Sequence, residues 1–245
     1  MIDIASYREQ WFCDCLQKRK LFSSARFAEQ HWESILGVVC GDDTSSLSLG
    51  HDLRKMLLEI SECADSSTFH LGICPNIQSH SVLAVPLREW LTGRLLSHVG
   101  WCDAGVLGLQ RSPPDKFFSA ARGLRAVVAG PPHLRGLAKR HTCMAGSHLF
   151  EDVLFIDAPE RGIFNVYPII LQRTAATLAR MQHESSQPVL VTLSCGVASP
   201  LIAWSLYKSF GRFAFVLDVG SMYDKVIESP VQSKAWSVAG SFEGH

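Results

Sequence analysis

The chain has no apolar run approaching the ~20 residues that cross a bilayer, so no membrane-spanning helix is expected. It has no charge of one sign in excess either: Lys plus Arg and Asp plus Glu number 23 each, which removes the overall field that draws a protein to a polyanion and leaves nucleic-acid binding unsupported. The opening "MIDIASYREQWFCDCLQKRK" carries charges where a signal peptide needs its apolar segment, and a cytoplasmic location is the expectation. Paired C-x-x-C knuckles are missing from the eight cysteines. Cys13 and Cys15 form a C-x-C pair, and Cys40, Cys63, Cys74, Cys102, Cys143 and Cys195 are scattered singly, a spacing that suits small buried thiols better than structural zinc. Neither a Walker sequence nor a G-x-G-x-x-G is present.

What is present is core. With 47% hydrophobic and 19% charged residues, 245 residues can build one large domain or two small ones. The first 35 residues, free of Pro and Gly, read as helical. Residues 35–40 read as a first buried strand that breaks at Gly41 into the polar loop "CGDDTSS". "HDLRKMLLEISECA" places Leu53, Met56, Leu57 and Ile60 on one helical face, and "FHLGIC" reads as a strand. After a middle section with helical patches around 87–99, strand and helix alternate regularly. "LRAVVAG", "EDVLFIDAP", "PVLVTLS" and "FAFVLDVG" are strands, while "YPIILQRTAATLARMQHE" and "SPLIAWSLYKSF" are helices. Such alternation predicts an α/β fold, a Rossmann-like, mostly parallel sheet with helices on both faces, preceded by a helical N-terminal segment. The expected organisation is a helical segment over 1–34, the Rossmann-like domain over 35–228 and a tail over 229–245.

In a parallel sheet, ligands bind outside the carboxyl ends of the strands. The candidate walls are therefore "CGDDTSS", "AGPPH", "IDAPERGIFN", "LSCGVASP" and "LDVGSMYD". "LSCGVASP" has three readings. It lacks the first Gly of a G-x-S-x-G nucleophile elbow, Gly196 by itself explains a tight strand-to-helix turn, and Ser194, Gly196 and the N–H groups near Ala198 and Ser199 suit an anionic ligand such as a diphosphate. Adjacent Asp42 and Asp43 are candidates for holding Mn2+ or Mg2+ against phosphates, or for base catalysis, although Asp is also an ordinary turn former. His133, Glu160 and Arg161 also stand at strand ends.

The segments "GDDTSSLSLG", "HLGICPN", "APERGIFNVYPII", "VLVTLSCGVASPLIAWSL" and "FVLDVGSMYD" together resemble the GT-D fold glycosyltransferases over roughly residues 35–224. In that family an acidic D-x-E loop after the first strand, often preceded by Arg, contributes to metal and nucleotide-sugar binding, and Gly-containing loops near the C-terminus help form the donor site. Carried over by position, Asp42 matches the first acid, with Thr44 where Glu stands and Val39 and Cys40 in the preceding positions. Ser194, Cys195 and Gly196 fall where many relatives have Gly-Pro-Thr, and Asp218 and Gly220 match a final D-x-G followed by Ser221. The resemblance implies a nucleotide-sugar-dependent glycosyltransferase. Asp42 and Asp43 are its catalytic and metal candidates (Mn2+ or Mg2+), and Ser194, Cys195, Gly196, Asp218, Gly220 and Ser221 its donor contacts. Asp218 is equally suited to orienting a ribose or to bracing its own loop. The acceptor is not specified by these residues, and self-association is compatible with them. Two other readings stay open: a Rossmann-like transferase using another nucleotide cofactor such as S-adenosylmethionine, and a noncatalytic binding subunit that retains the fold.

Overall fold

Apolar strands that must be covered on both sides assemble here into one seven-stranded sheet. In the computed structural model, which describes residues 8–37, 47–63, 68–74, 77, 82–93, 101–104, 114–137 and 150–223, the strands are β1 (Ser23–Phe27), β2 (Phe69–Ile73), β3 (Trp101–Asp103), β4 (Arg125–Gly130), β5 (Asp152–Asp157), β6 (Val189–Leu193) and β7 (Ala214–Asp218). Every pairing is parallel, in the order β3-β2-β1-β7-β6-β4-β5. β2, β6 and β7 are buried along their whole length, as a sheet covered on both faces requires.

Period-two alternation divides the core in two. Ala25, Phe27, Phe69, Leu71, Val189, Val191, Leu193, Ala214 and Val216 pack on one face beneath α2 (Glu29–Leu36), α3 (Leu47–Cys63), α4 (Ala84–Gly93), α6 (Ile163–Glu184) and α7 (Ser199–Phe210). Phe22, Ala126, Val128, Leu190, Phe215 and Leu217 face the opposite way, against α1 (Arg8–Gln17) and α5 (Pro114–Ala121). The expected fold class is therefore observed, and Leu53, Met56, Leu57 and Ile60 form the buried stripe of α3.

The helical reading of the first 35 residues holds for α1 and for the start of α2, but Ser23–Phe27 is a strand at the middle of the sheet. "SSARF" has no β-branched residue, so local propensity does not announce it; pairing with β2 and β7 on its two sides decides its state. The strand expected over 35–40 is corrected over its first half, residues 38–40 lying outside the described residues: Ile35 and Leu36 close α2, and Gly37 terminates it at φ 72, a left-handed geometry that favours glycine. α2 thus runs across the boundary placed between 34 and 35. β3 was not expected. α6 begins at Ile163 rather than Tyr167 and carries Pro168 inside it; the ring removes one backbone bond, while Ile163, Ile170, Thr174, Leu178 and Met181 keep a continuous buried face.

Candidate functional site at the carboxyl edge of the sheet

Because all seven strands are parallel, their carboxyl ends share one edge. Within it the connections diverge at a single interior place. From β4 the chain moves outward to β5, whereas from β6 it moves inward to β7, and β4 and β6 are neighbours. Such a switch point opens a crevice for ligands. Its walls are Gly130 and Ser194. A Cβ on Gly130 would lie 3.0 Å from the Ser194 Cβ and 2.5 Å from Leu134 Cδ1, so a side chain here would push both neighbours aside. Beside the crevice, Arg135 after β4 pairs with Asp157 at the end of β5, and His133 Nδ1 lies 3.8 Å from Glu160 Oε1.

On the α7 side of the sheet the polar groups at this edge are largely satisfied by one another. Asp218, 4% exposed, accepts the Arg26 N–H at 3.0 Å and the Gly220 N–H at 3.2 Å and is hydrogen-bonded by the Ser199 side chain. Ser199 Oγ in turn accepts the Cys195 N–H at 2.9 Å. One carboxylate thereby ties the ends of β1, β6 and β7 to the start of α7. Burial pushes its acid up to about 6, against the opposing charge of Arg26 and the bonds it accepts. His31, 5% exposed in the first turn of α2, accepts the Ala28 N–H at Nδ1 at 2.9 Å, the place Glu or Gln takes in a capping box. Burial holds His31 down to about 4, and its Nε2 faces the Val197 carbonyl outside hydrogen-bond geometry. It is neutral at physiological pH.

The opposite side of the same edge is different. Arg26 and Ser194 alternate away from Ala25, Phe27 and Leu193, so both side chains belong to the α1–α5 side. The Ser194 N–H donates to the Ala129 carbonyl at 2.8 Å, which continues the ladder through this residue. Ser194 Oγ and Arg26 Nε are nevertheless buried without hydrogen-bond partners. The Arg26 guanidinium lies against Gly220, whose φ of 53 favours glycine and where a side chain would displace the guanidinium.

Of the residues expected from sequence, Ser194, Cys195, Gly196, Asp218, Gly220 and Ser221 do gather at this edge, while Asp42 and Asp43 lie outside the described residues. Gly196 is exposed at φ 51, and Ser221 is half-buried. The Ala198 and Ser199 N–H groups, expected to face an anion, instead bond to Cys195 O and Gly196 O inside the turn. Asp218 has the geometry of a brace. With its oxygens taken by the backbone and Ser199, it has little left for a ribose, which weighs against the S-adenosylmethionine reading. Sequence reasoning missed Arg26 and His31. After β1 the chain passes through Ala28 directly into α2 at Glu29, which sets Arg26 in the strand and His31 in the first turn of the helix. Both were hidden because the whole segment was read as helix.

The described residues do not suit a hard divalent cation. Asp218 is engaged by N–H donors and sits beside a guanidinium, His31 uses Nδ1 as an acceptor, and among the described residues no three His, Cys, Asp or Glu side chains group as ligands. Nor is Cys195 a nucleophile: its thiol is fully buried, donates to the Ala129 carbonyl at 3.5 Å and is pushed up to about 12 by burial and then by Asp218. Cys195→Ala is expected to leave any enzymatic activity within about two-fold of wild type, since only a nucleophile needs the thiolate. Abolished activity in a folded variant, judged by circular dichroism, would reverse that assignment. Cys13, Cys15 and Cys102 are buried as expected, Cys74 is half-buried, Cys63 is exposed, and Cys40 and Cys143 lie outside the described residues.

No helix among the described residues is long and apolar enough to cross a membrane. No protein-family model matches the sequence, and no curated protein matches it. Solved structures do. A protein described as a new glycosyltransferase (domain of unknown function 1792) from Streptococcus sanguinis superposes with a TM-score of 0.57 at 14% identity, over 91% of this chain and 84% of that one. A second structure, described as the highly conserved domain of unknown function 1792 with a distinct glycosyltransferase fold, gives 0.55 at 15% identity over 91% and 82%. The chain therefore has the fold of these glycosyltransferase structures along most of its length.

Proposed function

We propose that the protein is a glycosyltransferase that moves a sugar from a nucleotide-sugar donor to an acceptor hydroxyl. The observation supporting this reading most strongly is the likeness of fold to glycosyltransferase structures over 91% of the chain. The gathering of Ser194, Gly196 and Gly220 at the ligand-binding edge of the sheet agrees with it. Transfer breaks the bond between the anomeric carbon and a diphosphate oxygen, whose electron pair leaves with the nucleoside diphosphate. The acceptor oxygen forms the new bond and its proton passes to a carboxylate. Charge growing on the diphosphate must be met by donors or cations already in place.

Asp42 and Asp43 are the carboxylates proposed for the base and for Mn2+ or Mg2+, which when bound would neutralise phosphate charge. With Thr44 in place of a third acid, such an ion would bind weakly alone and would need phosphate oxygens to complete its ligands. Nucleoside diphosphate affinity, measured by calorimetry, is then expected to rise about ten-fold in Mn2+ over EDTA for wild type and not for Asp42→Asn. Equal affinity in all four conditions would remove the metal from the proposal. A thermal-shift panel of nucleotides, nucleotide sugars and S-adenosylmethionine tests the broader reading: stabilisation by nucleotide sugars supports it, stabilisation by S-adenosylmethionine alone replaces it, and no stabilisation by any of them favours a binding subunit.

A further inference from the structure

The outermost strand of a sheet presents unpaired backbone N–H and C=O groups, and folded proteins ordinarily blunt it with a very short strand, a lysine, a proline or a bulge. At one end of this sheet β3 is only three residues long. At the other end β5 has none of these protections. Its sequence, "DVLFID", sets four apolar residues between two carboxylates, and none of the six is buried, whereas β4 beside it is buried from Ala126 to Gly130. The ladder fixes which backbone groups point outward. The Ser194 N–H donates to the Ala129 carbonyl on the β6 side of β4, and the Ala158 N–H donates to the Gly130 carbonyl on the β5 side. Alternation then turns the backbone groups of Leu154 and Ile156 inward to β4, and those of Val153, Phe155 and Asp157 outward. Among the described residues no strand pairs with them. The two ends of this edge also differ in charge. Glu151 and Asp152 are exposed at the amino end, where Arg125 is engaged by Glu184. At the carboxyl end the bond from Arg135, and then the charges of Arg135 and Arg173, hold the Asp157 carboxyl below its ordinary range, and both arginines are exposed.

We propose that β5 is the surface through which two copies of this chain associate, their β5 strands pairing antiparallel about a two-fold axis at Phe155. A two-fold is the symmetry that matches a surface to itself, and an antiparallel strand at the edge of a parallel sheet is an ordinary arrangement. This register sets Phe155 opposite the partner's Phe155 and Val153 opposite the partner's Asp157, so all three outward-facing residues exchange backbone hydrogen bonds. Leu154 falls opposite the partner's Ile156 on the α6 face, an apolar cross-strand pair. Charge selects the same direction: antiparallel pairing brings Glu151 and Asp152 beside the partner's Arg135 and the partner's Arg173, where parallel pairing would set like ends together. Asp152 alternates to the face of Leu154 and Ile156, which is the face α6 and Arg173 occupy. The carboxyl edges of the two sheets then point in opposite directions, and neither crevice is covered. The contact is independent of the glycosyltransferase reading.

The test is sedimentation equilibrium of the purified full chain, with hydrogen exchange of the β5 amides across a dilution series. At a concentration on the order of 100 μM the mass is expected to be twice the 27.1 kDa of one chain, with exchange of the Val153, Phe155 and Asp157 amides slowing as concentration rises. Val153→Pro removes one outward N–H and no bond to β4, and is expected to weaken association at least ten-fold. Asp152→Arg and Arg173→Asp are each expected to weaken it about three- to ten-fold, and the two together to return it close to wild type. A monomer at that concentration overturns the proposal. So does a dimer whose β5 amides exchange as fast as in dilute solution, because another face then holds it. Protection of these amides that is equal at every concentration would place some other segment on the edge and likewise overturn the second copy. If Val153→Pro fails to fold, the charge exchange decides: weakening by both single substitutions with recovery in the double supports pairing at β5, and any other pattern overturns it.

Discussion

Gly50→Ala is expected to destabilise the protein by about 2 kcal/mol or more and to lower its thermal midpoint by roughly 4–8 °C, although alanine is the better helix former. In an exposed helix interior this substitution gains ~1 kcal/mol. Here Gly50 sits in α3 where that helix crosses α2, and a Cβ would occupy the space of the Ser34 carbonyl oxygen and stand 2.8 Å from its carbon. Both atoms are backbone, so no side chain can swing away and the two helices must separate. α2 carries Trp32 and Ile35 into the core and holds His31 in its first turn, so the shift reaches the candidate site as well as the packing. Differential scanning calorimetry decides the sign. A midpoint equal to or above wild type would mean that the crossing has slack the structure does not show.

The second large effect is a pair of opposed pH slopes hidden in the wild type. Asp218 is pushed up to about 6 from an ordinary 3.8, so the folded state binds its proton more tightly, and its contribution to stability falls as pH rises from 4 to 6. His31 is held down to about 4 from 6.5, so the unfolded state binds its proton more tightly, and its contribution rises over nearly the same interval. Each shift corresponds to roughly 3 kcal/mol, and the two largely cancel. Arg26 acts on both, lowering His31 and opposing the rise of Asp218. His31→Gln keeps an acceptor for the Ala28 N–H and removes one slope; its stability is expected to drop by about 3 kcal/mol between pH 4 and 6 relative to wild type. Asp218→Asn loses stability throughout because its amide cannot accept as many bonds, but relative to wild type its stability rises by about 3 kcal/mol from pH 4 to 6.5. Urea unfolding across this range measures both. If the two variants keep the slope of the wild type, neither group is perturbed as its burial implies.

The apolar runs of β4, β6 and β7, the Ser-Pro opening of α7 and the stripe on α3 specified the parallel α/β architecture by themselves. A buried strand needs continuous apolar residues and a covered helix needs a periodic stripe, and both patterns are local. They also placed Ser194, Gly196, Asp218 and Gly220 at one edge, since strand direction follows once every connection is a helix. Tertiary structure alone decided the rest. "SSARF" carries no strand signal and becomes β1 because β2 and β7 leave a gap only an extended segment can fill. That placement brings Arg26 and His31 to the edge and moves the loop after the first strand from residue 41 to residue 28. Whether Asp218 binds a ligand or braces a turn was equally undetermined from sequence. The donors that engage it are the N–H groups of Arg26 and Gly220 and the hydroxyl of Ser199. The first lies 192 positions away in the chain, a separation over which no pattern of neighbouring residues carries information.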